Sequence, residues 1–186
     1  MSKDTNLISY NGPDCNGQTV DLTFEQAIIP GPEIADTLKF STGLSNFTGY
    51  FPEVTSGQED CIDINNQCEH LTLRVEKLIF QGTMGVTIKG GSRHIIISAN
   101  DCLGHGKETD VDIGNWSDQS SEPTTDVTLD IRRLDSDCTY VRVINGQRPV
   151  FEVGSGPYKF VFPWPWIPRC IVVPIFNLLH RLGFFH

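Results

Sequence analysis

The chain reads as an all-β solenoid, a coil of short strands stacked turn upon turn, and three observations predict it. Apolar, β-branched pairs flanked by polar residues recur from Thr19 to Phe162 at a nearly constant interval. They fall into two interleaved series with one shared period, the mark of a repeat whose every coil supplies two or more strands. The connections are turn chemistry, as in Asn65-Asn66, Gln81-Gly82, Gly90-Gly91 and Asn145-Gly146, and no stretch between 38 and 162 has the 3.6-residue periodicity of an amphipathic helix.

The first series is Thr19–Leu22, Leu38–Phe40, Cys61–Ile64, Val86–Lys89, Asp110–Ile113 and Tyr140–Val143, the last four starting 25, 24 and 30 residues apart. The second is Leu71–Val75, His94–Ser98, Asp126–Ile131 and Pro149–Val153, starting 23, 32 and 23 apart, with Phe47–Phe51 as an earlier member 24 residues before Leu71. Alternate residues of a strand point to one side. Ile62 and Ile64, Val86 and Ile88, Val111 and Ile113, and Val141 and Val143 should therefore stack as an aliphatic column. Each buried side chain contributes ~1.5–3 kcal/mol, which one coil cannot accumulate and about six can. Residues 1–35 are the least regular part: Ile8-Ser9-Tyr10 and Thr19–Leu22 suit short strands, and Ile28-Ile29-Pro30-Gly31-Pro32 marks a turn. The polar run from Trp116 to Thr125 reads as a surface loop. An antiparallel sandwich is the structural alternative, and it would need hairpin turns between neighbouring strands.

At 186 residues, one coiled domain over 1–162 and a tail over 163–186 are expected. The net charge of −9 argues against nucleic acid as a partner, since phosphate binding needs a cationic surface. Residues 155–186 break the trend, with Lys159, Arg169 and Arg181 and no acid. The opening Met1-Ser2-Lys3-Asp4-Thr5-Asn6 is polar and no apolar run follows it, so synthesis in the cytoplasm without a cleaved signal is the expectation. The sequons at Asn46 and Asn115 mean little in that setting. Cys15, Cys61, Cys68, Cys102, Cys138 and Cys170 lack any C-x-x-C spacing and read as reduced, structural thiols. Cys68-Glu69-His70 has no second close ligand pair in sequence, so neither zinc nor another cofactor is expected.

The tail is compositionally distinct. Residues 155–186 hold five of the eleven prolines and eight of the eighteen aromatic residues. Phe162-Pro163-Trp164-Pro165-Trp166-Ile167-Pro168 should be extended, because each proline restrains its predecessor. Pro174 can then open a short helix with Ile175, Leu178, Leu179 and Leu182 on one face and Asn177, His180 and Arg181 on the other. The apolar run from Cys170 to Phe176 is too short to span a bilayer. Such a tail suits a cap on the coil, a docking or intersubunit segment built on Trp164, Trp166, Ile175, Phe176, Leu178, Leu179, Leu182 and Phe185, or an interfacial membrane helix.

The stretch Glu59-Asp60-Cys61-Ile62-Asp63-Ile64-Asn65-Asn66, followed by Gly85–Ser98, resembles right-handed parallel β-helices of the pectate lyase and polygalacturonase type. The resemblance covers about residues 38–162 and implies a right-handed parallel β-helix of about six coils. The same fold builds tailspikes and decoration proteins of tailed bacteriophages. A hydrolase of this kind uses paired carboxylates, one as acid and one as base. Asp63 and Asp112 would lie two coils apart, ~10 Å by strand spacing, at or beyond the upper end for an inverting pair. Lys89 and Arg142 alternate with them, which suits a solvated ladder of cross-strand ion pairs. The adjacent aspartates and facing histidine of the family's glycosidases have no counterparts at the matching positions, and those enzymes are generally longer.

Two further ligand-contact candidates are His105, in Gly104-His105-Gly106-Lys107-Glu108-Thr109-Asp110, and Trp116, which could stack on a sugar. His105 lacks a nucleophile or partner base nearby in sequence, and a glycine-permitted corner accounts for the stretch equally well. With no complete catalytic set, the expectation is a non-enzymatic virion protein on the particle surface. It would be a homotrimer docked through its tail to other capsid proteins. A carbohydrate-binding or polysaccharide-degrading protein and a peripheral membrane protein are the alternatives.

Overall fold

The computed structural model describes residues 6–15, 17–114, 122–134, 139–143, 150–152 and 159–162, with side chains described as far as residue 130. It is a parallel β-solenoid of two sheets. One sheet holds the short strands in the order β1 (Ile8–Asn11), β3 (Leu38–Ser41), β5 (Ile62–Ile64), β7 (Met84–Ile88), β9 (Thr109–Ile113), β11 (Thr139–Val143) and β13 (Lys159–Phe162). The other holds β2 (Val20–Thr23), β4 (Ser45–Thr55), β6 (Glu69–Phe80), β8 (Arg93–Gly104), β10 (Thr125–Leu134) and β12 (Val150–Glu152). All named strand pairs are parallel, which excludes the antiparallel sandwich.

About four turns form where six were expected. The four from β3 to β10 keep a steady register: Leu38, Ile62, Val86 and Val111 are successive partners, as are Phe47, Leu71, Ile95 and Val127. The interval is 24 or 25 residues until it lengthens to 32 between Ile95 and Val127, and seven of the extra eight lie in the connection between β9 and β10. The spacing of the sequence puts Thr19–Leu22 in the short-strand series. Val20–Thr23 instead joins the long-strand sheet beside Phe47–Tyr50, and Ile8–Asn11 heads the short-strand sheet.

Each coil turns its corners by local chemistry repeated in register. After the short strand come two residues with left-handed backbone, Thr42-Gly43, Asn66-Gln67 and Gly90-Gly91, with φ between 55° and 72°. At Gly90 only glycine fits, because a Cβ would stand 2.4 Å from the Asn66 amide nitrogen in the coil below. The long strands then bend. In β6 the buried residues alternate as Leu71, Leu73 and Val75, but Glu76 and Lys77 both stay outside before Leu78 turns in. Pro52-Glu53 and Asn100-Asp101 break the alternation at the same register. A corner placed identically in successive coils lets the ladders continue around it.

The interior is the expected stack. Ile62, Ile64, Val86, Ile88, Val111 and Ile113 are buried in one column, with Val141 and Val143 in register on β11. The N-terminal end is closed by rings: Phe40 packs 5.0 Å from Phe47, Tyr10 5.0 Å from Phe47, and Phe24 5.0 Å from Phe51. A solenoid exposes its core wherever a coil lacks a neighbour. The first two coils supply aromatic rings there, and the next carries the aliphatic Ile64, Leu71 and Val75 in register with Phe40, Phe47 and Phe51.

Candidate functional site

The short-strand sheet places Ser9, Lys39, Asp63, Thr87, Asp112 and Arg142 in one column. The column expected from the sequence is there, but it is not a solvated ladder: Asp63 is 2% exposed and Thr87 and Asp112 are wholly buried. Charges at such depth must be paired or neutralised. Lys39 reaches both Asp63 (3.1 Å) and Asp36 (3.0 Å), Lys89 reaches Asp63 from the other side at 3.3 Å, and the Asn65 amide donates to Asp63 at 2.8 Å. Burial opposes the charge on both lysines. The neighbouring carboxylates outweigh it, so both ammonium groups titrate above the ordinary lysine range.

Asp60 completes the cluster. Its carboxyl is buried, its Oδ1 accepts no hydrogen bond, and neither lysine lies within ion-pairing distance. Burial, then the Asp63 and Asp36 charges, push its pKa up to about 8, against the pull of Lys89 and the Thr87 hydroxyl. Asp36 is raised as well, first by burial and then by Asp63. With Asp60 protonated, Asp36 and Asp63 balance Lys39 and Lys89, and the cluster is neutral. The three carboxylates approach within 4.8 Å of one another. The Lys39 ammonium already stands between two of them, in the place a metal cation would need. The arrangement can hold a proton and lock three coils in register.

His105 lies in the corner after β8. Its Nδ1 is 3.2 Å from Asp110 Oδ1, and that oxygen also accepts the Gly106 amide at 3.0 Å. Asp110 is buried and His105 half-buried, so the pair fastens the corner opened by Gly104 at φ 72°. Asp63 and Asp112 thus share a column, whereas His105 belongs to a separate corner. Trp116 lies outside the described residues, as do all the tail residues singled out above, from Trp164 to Phe185. Sequence reading missed Lys39, Asp36 and Asp60 as partners of Asp63. The signal was the coil period itself, since Asp36 and Asp60 stand 24 residues apart.

On the long-strand sheet, a shallow outer cleft of about 350 Å³ lies at the bend of β4, β6 and β8, lined by Tyr50, Arg74, Glu76, Ser98 and Asn100 with Asp130 of β10. The Tyr50 hydroxyl donates to Glu76 Oε1 at 3.3 Å, and the Asn100 amide donates to the other oxygen. Cys15, Cys61, Cys68 and Cys102 are free thiols, the last three buried. Burial pushes the Cys68 thiol up to about 12 and those of Cys61 and Cys102 higher still, so none of the three offers a reactive thiolate. Among the described residues no helix is long and apolar enough to cross a membrane. No protein family, no curated protein and no solved structure matches the chain.

Proposed function

We propose that this protein is a non-enzymatic structural solenoid, a capsid decoration or other surface protein of a virion of the tailed-phage kind. It is made in the host cytoplasm and assembles as a trimer that docks through residues 163–186. One observation carries the reading. Of the two carboxylates that hydrolysis on this sheet would use, Asp63 is clamped by two lysines and Asp112 is wholly buried. Acid–base work on a polymer needs carboxyl groups within reach of the bond and of water. Asp63 instead ties neighbouring coils together through Lys39 and Lys89. The apolar, proline-punctuated tail supplies the docking half of the proposal from composition alone. A screen against acidic and neutral bacterial polysaccharides, read by release of reducing ends, should show no turnover. Turnover that is lost in Asp112→Asn would overturn the structural reading.

Glycan binding without turnover is a second reading, favoured by the cleft at the bend, whose lining includes Tyr50, Arg74, Glu76, Asn100 and Asp130. An aromatic face beside several hydrogen-bonding side chains suits a sugar ring. Saturable binding of an oligosaccharide that disappears in Tyr50→Ala would establish it, and binding unaffected by that change would remove it.

A further inference from the structure

We propose that the rim of the long-strand sheet carries a site for a divalent first-row metal ion of the zinc type. The ligands are His70 and Glu69 from one coil and His94 from the next, with Asp126 of a third coil orienting His94. Sequence alone shows Cys68-Glu69-His70 without a second ligand pair. The 24-residue coil supplies the partner by pairing Glu69 with Arg93, which sets His94 directly above His70. The two imidazoles stack with centroids 4.6 Å apart and planes 5° from parallel. His70, His94 and Asp126 share left-handed backbone, φ 52–55°, at one corner of three successive coils, so their side chains leave the coil in the same direction.

The donor atoms suit the ion. One nitrogen from each imidazole and one carboxylate oxygen of Glu69 all lie within 4.8 Å of one another. Around a single zinc ion, with bonds of ~2.0–2.2 Å, donors stand about 3.3 Å apart. The side chains therefore need to draw together by at most roughly 1.5 Å, and the rings to tilt out of parallel, since an ion lies in the plane of each imidazole it binds. All three are partly or largely exposed, with side-chain accessibilities of 31% for Glu69, 55% for His70 and 44% for His94, so packing does not oppose the movement.

The surroundings prepare the ligands. His94 Nδ1 is hydrogen-bonded to Asp126 Oδ2, which leaves Nε2 as the coordinating nitrogen. Carboxylate–imidazole pairs of this kind fix the tautomer and raise the basicity of a metal-bound histidine. Glu69 Oε1 already faces His70 Nε2 at 3.3 Å, while Oε2 is held at 3.0 Å by Arg93, so a single oxygen is left for the ion. Two imidazoles and one carboxylate leave room for water in the remaining position. Bound there, the ion would tie β6 to β8 at the edge of the sheet.

Titration of the full-length chain with Zn²⁺ at pH 7, followed by calorimetry, tests the site, with Co²⁺ as a spectroscopic stand-in. The expected result is one ion per chain, with His70→Ala and His94→Ala each weakening binding at least tenfold. Asp126→Asn should weaken it about tenfold through the lost orienting bond, and Co²⁺ should show no thiolate-to-metal charge transfer. The three substituted positions are exposed, and circular dichroism of each variant verifies that the coil is intact. Absence of binding, unchanged binding in a His70→Ala/His94→Ala double variant, or a cobalt spectrum with thiolate bands would each overturn the proposal.

Discussion

Replacing Asp60 by asparagine should make the protein more stable at neutral and alkaline pH and leave it little changed in acid. The folded carboxyl titrates near pH 8 rather than at its ordinary 3.8. Between those values the unfolded chain releases the proton and the folded chain keeps it, so the folded state binds more protons. Stability contributed by this residue therefore falls as pH rises from about 4 to about 8 and is level beyond. The slope approaches about 1.4 kcal/mol per pH unit in the middle of the window. An asparagine has nearly the shape of the protonated acid and does not titrate. The advantage of Asp60→Asn over the parent should thus grow by about 2–3 kcal/mol between pH 5 and pH 7. Urea unfolding at pH 5, 6, 7 and 8 measures it directly. An advantage that stays constant with pH, or shrinks as pH rises, would refute a protonated Asp60 and with it the neutral cluster.

The other perturbations separate interior from surface. Asp63→Asn leaves Lys39 and Lys89 without their shared carboxylate and should cost about 3–5 kcal/mol in urea unfolding at pH 7; a loss under 1 kcal/mol would mean that water reaches the lysines. Leu71→Ala empties a fully buried position between Phe47 and Ile95 and should cost about 2–5 kcal/mol, whereas Thr72→Ala on the opposite face should stay within about 0.5 kcal/mol. Gly85→Ala would drive a Cβ to 2.4 Å from the Asp110 carbonyl and 2.8 Å from the Phe80 ring, a cost of about 1–3 kcal/mol in the same assay. Under native alkylation, peptide mapping should find half-buried Cys15 modified before Cys61, Cys68 and Cys102, which should react only after denaturation.

The coil was legible because burial on one side of each strand imposes alternation, and stacking imposes a common period. Those two constraints locate Ile62, Val86 and Val111 without any knowledge of the structure. They also find Phe47 opposite Leu71. The start of the coil was less legible: Thr19–Leu22 has the same local pattern whichever sheet it joins, and only the connection through Leu38 decides between them. The outward face was misread for a physical reason. Alternation assigns Asp63, Thr87 and Asp112 to one side of the sheet, yet it carries no information on whether that side meets water. The cluster and the histidine pair arise from residues of different coils. Asp36 with Asp60 and His70 with His94 each stand one period apart, so the signal was present in the spacing once the repeat was applied to polar residues as well as apolar ones.

In the proposed function, a scaffold folds as a coil and a tail assembles it. Solution mass by light scattering, for the full chain and for a chain ending at Phe162, tests it most directly. The account predicts a trimer for the full chain and a monomer for the shortened one, both with the same β-rich circular dichroism. Equal masses for the two, or loss of the β signal on truncation, would contradict it.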